Sequence, residues 1–219
     1  MLNSPLSLKA MGVLEPTGKR GEWRLSADHT DKLPKIQNGK VLLAFATDLG
    51  VALWGSCIDV FGRGLDGDSI SLCLTSPPYP LAVPRAYGNP AESEYVDWLC
   101  TALEPIAKHL KPGGSICLNV SNDIFLSQSP ARSLYRERLV LALHDRLGLY
   151  KMDELIWSSN KAPGPVRYAS ITRQHLNVAY EPIYWFTNDP AKCTSNNRRV
   201  LLPHTKAHAR YMHSGQREN

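Results

Sequence analysis

The residues in this chain best placed to do chemistry stand five in a row: Thr75-Ser76-Pro77-Pro78-Tyr79. They follow an apolar run, Ile70-Ser71-Leu72-Cys73-Leu74, whose composition predicts a buried strand. Two adjacent prolines cannot extend a strand ladder, because neither has an N–H to give. The strand must therefore end at Ser76, and the chain must leave it as a stiff, extended loop. That loop carries a hydroxyl, carbonyls released from ladder pairing, and an aromatic ring. In open α/β sheets, ligands bind at the carboxyl ends of strands. A small planar ligand could be gripped there by hydrogen bonds at its edge and by stacking on Tyr79. The plainer alternative is a proline turn without a ligand.

The elements that must position this loop read as an alternation of strands and helices. Val41–Thr47 and Val51–Trp54 flank Asp48-Leu49-Gly50, a pattern that predicts a hairpin. A short helix is expected over Ser56–Phe61. After the proline loop, Tyr95, Trp98, Leu99, Leu103, Ile106 and Leu110 recur at helical spacing, with Ser93 as a candidate N-cap and Pro105 inside. Lys111-Pro112-Gly113-Gly114 stops that helix, and Ser115–Val120 reads as the next strand. Ala131–Leu147 reads as a second helix ended by Gly148, followed by strands at Leu155–Trp157 and Glu181–Phe186. This order predicts an α/β domain with a largely parallel sheet. Residues 1–39, polar and weakly periodic, read as an irregular arm before a core over residues 40–190. Residues 191–219 begin a further region.

Composition narrows the class. With 219 residues, 43% hydrophobic and 21% charged, the chain is long enough for one sizeable core and ordinary for a globular protein. It lacks an apolar run of about 18 residues and a secretory signal, so no membrane partner and a cytoplasmic location are expected. The five cysteines form no C-x-x-C pair, so free thiols are expected and a metal site is not. Residues 151–219 carry ten basic and five acidic residues, which accounts for the whole net charge of +5, and hold four of the seven histidines. That imbalance predicts a polyanion-facing surface, or else a solvated basic tail.

Ser76-Pro77-Pro78-Tyr79 matches the catalytic signature [DNS]-P-P-[YFW] of the amino-methyltransferases that modify N4 of cytosine or N6 of adenine in DNA. The Thr75-Ser76 form is most similar to the cytosine-N4 branch. The flanking segments extend the resemblance over roughly residues 41–205: Trp54-Gly55-Ser56, the helix Tyr95-Val96-Asp97-Trp98, Leu110-Lys111-Pro112-Gly113-Gly114 with Leu118-Asn119-Val120, Ile156-Trp157, Lys161 to Pro165, Tyr180-Glu181-Pro182, and Asn197-Arg198-Arg199. The resemblance implies a Rossmann-like S-adenosylmethionine-dependent methyltransferase sheet, incomplete here, with helices on both faces. It implies double-stranded DNA as partner, S-adenosylmethionine as methyl donor and no metal. The target base would be flipped out of the duplex. The Ser76 hydroxyl and Pro77 carbonyl would accept hydrogen bonds from its amine, and Tyr79 would stack on its ring. Thr75 and Ser76 are the candidates for contact with the cofactor. Lys161, Arg167, Arg173, Arg198 and Arg199 are the candidates for contact with DNA. A restriction-modification setting is a further expectation, and N6 of adenine is an alternative target.

The family's second signature, F-x-G-x-G, lies downstream of the recognition region in enzymes of this motif order, and these 219 residues do not contain it. Phe61-Gly62-Arg63-Gly64 has glycines at other offsets and reads as a helix end. Met212 to Asn219 show no pattern of a closing element. The expectation is therefore a truncated chain, one completed by a second polypeptide carrying F-x-G-x-G, or one that binds DNA without turnover.

Overall fold

The computed structural model describes residues 14–16, 18, 23–25, 39–61, 67, 69–82, 88–158 and 166–214. They belong to two compact units, residues 1–63 and 64–219. The first unit holds two antiparallel pairs. Leu14–Pro16 (β1) pairs with Trp23–Leu25 (β2), so the polar arm is not wholly irregular. Leu42–Thr47 (β3) and Gly50–Trp54 (β4) form the expected hairpin around Asp48-Leu49, and helix α1 covers Cys57–Phe61.

The second unit is built on a four-stranded sheet. Its strands are Ile70–Thr75 (β5), Leu110–Asn119 (β6), Tyr150–Ser158 (β7) and Tyr180–Thr187 (β8), in the order β5-β6-β8-β7. Only β5 and β6 pair in parallel; β8 runs antiparallel to both of its neighbours. The expected largely parallel ladder is thus corrected to a mixed one. The reason is insertion of β8 between β6 and β7, which reverses both inner pairings while β5, β6 and β7 keep a common direction. β6 begins earlier than expected, at Leu110, but the ladder jumps from Ile70↔Leu110 to Leu72↔Ser115, so Lys111–Gly114 are skipped.

Helix α2 spans Tyr95–Lys108 and continues through Pro105. Helix α3 spans Tyr135–Leu147 and ends on Gly148 at φ 65°, a left-handed position that suits glycine. Both begin later than the apolar spacing predicted, because residues 92–94 and 131–134 are turns or extended chain. α2 starts after Glu94 with no side-chain cap. The two helices pack together through Tyr95 edge-on against Tyr135, centroids 5.3 Å apart, and through Arg146 to Asp97 at 2.5 Å.

The alternation along the strands separates two faces. Ile116, Leu118, Tyr184 and Phe186 share one face by register, and all are buried, as are Leu99, Leu103, Leu139 and Leu143 of the helices. The opposite face carries Leu72 and Leu74, which are 55% and 70% exposed. The two long helices lie together. A last helix, α4, covers Lys206–Ser214, where no closing element was expected. No helix among the described residues is long and apolar enough to cross a membrane.

Candidate active site

The sheet order brings three strand ends to one rim. β5 and β6 deliver their carboxyl ends there, Ser76 and Asn119, and the reversed β8 delivers its amino end, Glu181. Register fixes the alignment: Thr75 lies beside Leu118, Asn119 lies beside Ile183, and the Val120 N–H donates to the Pro182 carbonyl at 3.1 Å. Ladder pairing of β5 stops at Thr75, where the two prolines require it. Pro77 and Pro80 are buried, Pro78 and Tyr79 are half-buried, and Ser76 is exposed. The loop is tied down at the Tyr79 carbonyl, which accepts from Asn89 Nδ2 at 2.7 Å and from the Leu81 N–H at 2.8 Å.

Side chains then build a polar cluster. Tyr79 OH donates to Asn119 Oδ1 at 2.5 Å, with Glu181 Oε2 also within 3.2 Å. Ser76 Oγ donates to the same Asn119 oxygen at 3.2 Å and lies 2.9 Å from Tyr79 OH. A carbonyl oxygen has two lone pairs, so Asn119 can take both protons. Asn119 is 7% exposed, and its Nδ2 is buried without a partner among the described residues. Ser76, Pro77, Pro78 and Tyr79 together line a cleft of about 230 Å³. The arrangement offers a hydroxyl edge, a half-exposed aromatic ring and a rigid backbone, which suits a planar ligand bearing a donor group.

Behind the cluster the protein is apolar. Burial pushes the Tyr95 and Tyr135 hydroxyls far above the ordinary tyrosine value, with the nearby Tyr79 adding to both shifts. Tyr135 OH donates to the Ser121 carbonyl, whereas Tyr95 OH is buried with no partner among the described residues.

Sequence reasoning named the loop but gave no role to Asn119, Glu181 or Asn89. The signal was available: Asn119 is a polar residue ending an apolar strand, and Glu181 opens another. What links them to Ser76 is strand order, which spacing along the chain does not reveal. Thr75, a cofactor candidate, is half-buried and shares a sheet face with Leu118 rather than joining the cluster. The basic candidates are not gathered at the cleft by any contact among the described residues. Arg167 bonds Gln128 Oε1 at 3.3 Å and lies over the Tyr168 ring. Arg173 is exposed at φ 57°, a left-handed position uncommon for a side chain. Arg198 lines a separate cleft with Asp153, Trp185 and Ser195–Asn197, and Arg199 is exposed beside it in sequence. Lys161 lies outside the described residues, as do Gly62, Arg63 and Gly64. Tyr168 and His175 pack with Phe125 in a ring cluster, and His175 Nε2 donates to the Pro130 carbonyl. Among the described residues no group of three His, Cys, Asp or Glu side chains could hold a metal ion.

Comparison with known proteins meets this geometry. A family model described as DNA methylase, of the N6/N4 methyltransferase kind, matches residues 70–218. The chain is 28% identical over 163 residues to the type II methyltransferase M.PvuII of Proteus hauseri, covering 74% of this chain and 48% of that protein. It is 27% identical over 145 residues to the type II methyltransferase M.HpaI of Haemophilus parainfluenzae, covering 64% and 40%. The chain thus spans half or less of the length of these curated relatives. Among solved structures, PvuII DNA methyltransferase, described as cytosine-N4-specific, matches with a TM-score of 0.58 at 25% identity, covering 74% of this chain and 61% of that one.

Proposed function

This chain belongs to the N6/N4 DNA methylase family, and from that premise we propose that it forms the amine-binding part of a site-specific DNA methyltransferase. Its target is the exocyclic N4 of a cytosine flipped out of duplex DNA, and its methyl donor is S-adenosylmethionine. The observation that carries this reading is the Ser76–Tyr79 cleft at the carboxyl end of β5, backed by Asn119 and Glu181. The cytosine-N4 target is favoured by the likeness to a methyltransferase described as specific for it.

An exocyclic amine is a poor nucleophile, because its lone pair is delocalised into the ring. A site that accepts both amine protons favours a more tetrahedral nitrogen and frees that lone pair. Ser76 Oγ is one acceptor. The Pro77 carbonyl is the second, since nothing donates to it among the described residues. Tyr79 stacks on the base, a contact worth roughly 1–3 kcal/mol for a base on an aromatic side chain. The proton leaves from the alkylated nitrogen to water, so no enzyme base is required. Rate comes from positioning rather than covalent catalysis.

Gly113, at φ 80°, has the closest backbone approach of the described glycines, but a Cβ there would lie 2.0 Å from the Lys192 carbonyl oxygen. That glycine makes room for the chain's own backbone and not for a cofactor, so no step is routed through the donor. A second reading is a part of a methyltransferase that binds DNA without turning over by itself, in keeping with a chain that spans half or less of its curated relatives.

Transfer of labelled methyl from S-adenosylmethionine to duplex DNA, with and without host extract, tests both. Ser76→Ala is expected to lower transfer about a hundredfold, on the scale of losing one positioned contact at a reacting group, while DNA affinity stays within about twofold. Transfer only with extract points to a completing polypeptide. Absence of transfer in both conditions, with salt-sensitive DNA binding retained, leaves the second reading standing.

A further inference from the structure

Neither the resemblance nor the comparisons assign a role to Asn119. In the cluster its amide oxygen is the common acceptor for two hydroxyl protons, at 3.2 Å from Ser76 Oγ and 2.5 Å from Tyr79 OH. Each hydroxyl has one proton to give. Glu181 Oε2, the other partner of Tyr79 OH, accepts too. With both protons directed inward, the face of Ser76 Oγ turned toward solvent presents lone pairs only. Asn119 is held for this task by burial, at 7% exposed, and by its place at the end of β6.

We propose that Asn119 is a specificity-determining positioning residue: by taking the Ser76 and Tyr79 protons it makes Ser76 Oγ an acceptor-only contact, so the cleft selects an exocyclic amine over a ring carbonyl. This rests on the base-binding reading given above. A hydroxyl free to rotate could donate to a carbonyl as readily as accept from an amine, and would not separate cytosine from uracil. A hydroxyl whose proton is committed meets uracil O4 lone pair to lone pair. The reverse orientation of the Asn119 amide would place Nδ2 against both hydroxyls, turn the Ser76 proton outward and invert the preference.

The test measures binding of free 2′-deoxycytidine and 2′-deoxyuridine to the full chain by ligand-observed NMR, with 2′-deoxyadenosine and 2′-deoxyinosine as a purine pair. The wild-type chain is expected to prefer deoxycytidine by about tenfold, the scale of one hydrogen bond exchanged for an unsatisfied acceptor. Asn119→Ala is expected to lower that ratio by about threefold or more, leaving the discrimination that the Pro77 carbonyl supplies. Asn119→Asp, which keeps an oxygen facing both hydroxyls, is expected to retain it; a residue that only supports the fold would not show this rescue. Thermal melts of each variant confirm that the ratios are read on folded protein. A wild-type ratio near one in both pairs, a preference for the carbonyl member, or an unchanged ratio in Asn119→Ala overturns the proposal. An amine preference in the purine pair alone supports it and overturns the cytosine target instead. If none of the four nucleosides binds, the base-binding reading and this inference fall together.

Discussion

The helix-covered face of the sheet and its polar rim are built from the same strands by opposite rules. On the face, Ile116, Leu118, Tyr184 and Phe186 sit against α2 and α3 with no more than 4% of any of them exposed. Contact there is non-directional, and volume is what matters. At the rim, at the ends of these strands and in the loop after β5, Ser76, Tyr79, Asn119 and Glu181 are joined by hydrogen bonds of 2.5–3.2 Å. Contact there is directional, and a single displaced oxygen changes what the cleft can bind. The difference teaches where the cost of a substitution should appear: in stability on the face, in ligand choice at the rim.

The largest expected effect tests the face. Phe186 is fully buried in the central strand β8. Phe186→Ala should lower unfolding free energy by about 3–5 kcal/mol, the range for emptying an aromatic site in a close-packed core. Urea denaturation followed by circular dichroism measures it. A loss under about 1 kcal/mol would show that the face is loosely packed and that the contrast with the rim is overdrawn.

This contrast also explains what was legible in the sequence. Local rules sufficed where the controlling residues are neighbours. The Asp48-Leu49 turn, the glycine stop at Gly148 and the halt of β5 before Pro77 follow from backbone chemistry within a few residues. The direction of β8 was not legible, because an apolar run such as Pro182-Ile183-Tyr184-Trp185-Phe186 reads the same way in a parallel or an antiparallel ladder. Asn119 and Glu181 lie 40 and 102 residues from Tyr79, and only the inserted β8 brings all three together. Helix α4 was missed because its apolar positions are few among Lys206, His208, Arg210 and His213. The resemblance to a family supplied the meaning of Ser76–Tyr79, which spacing alone left open to a plain proline turn.

A smaller effect should appear at high pH, and it too separates face from rim. Burial pushes the Tyr184 hydroxyl up to about 12, and raises Tyr95 and Tyr135 further. In the unfolded chain these groups ionise near the ordinary tyrosine value of about 10. Between the two values the unfolded state releases protons that the folded state retains, so stability is fully present below pH 10 and falls as pH rises toward 12. Melting temperature measured from pH 8 to 11.5 should hold steady and then drop above about pH 10. Tyrosinate absorbance from the buried rings should rise together with unfolding. Ionisation at the ordinary value with the fold intact would place these hydroxyls in solvent, and so at the rim.

The smallest expected effect concerns a residue on the boundary. The Tyr95 ring belongs to the face: it is fully buried, edge-on to Tyr135 and 5.9 Å from Trp98. Its hydroxyl has no partner among the described residues, yet lies near enough to Tyr79 for that group to raise its pKa. A buried hydroxyl without a hydrogen bond is a net cost, because its bonds to water are lost and not replaced. Tyr95→Phe keeps the ring and removes only that oxygen. The expected result is a gain of about 1 kcal/mol in urea denaturation, with nucleoside selectivity at the cleft unchanged. Stabilisation with altered selectivity would mean that the hydroxyl belongs to the rim, and that its burial cost is retained for ligand binding, as strained or unsatisfied groups at functional sites often are. Destabilisation would mean that the oxygen has a partner in solution, and the rim would then extend to the first turn of α2.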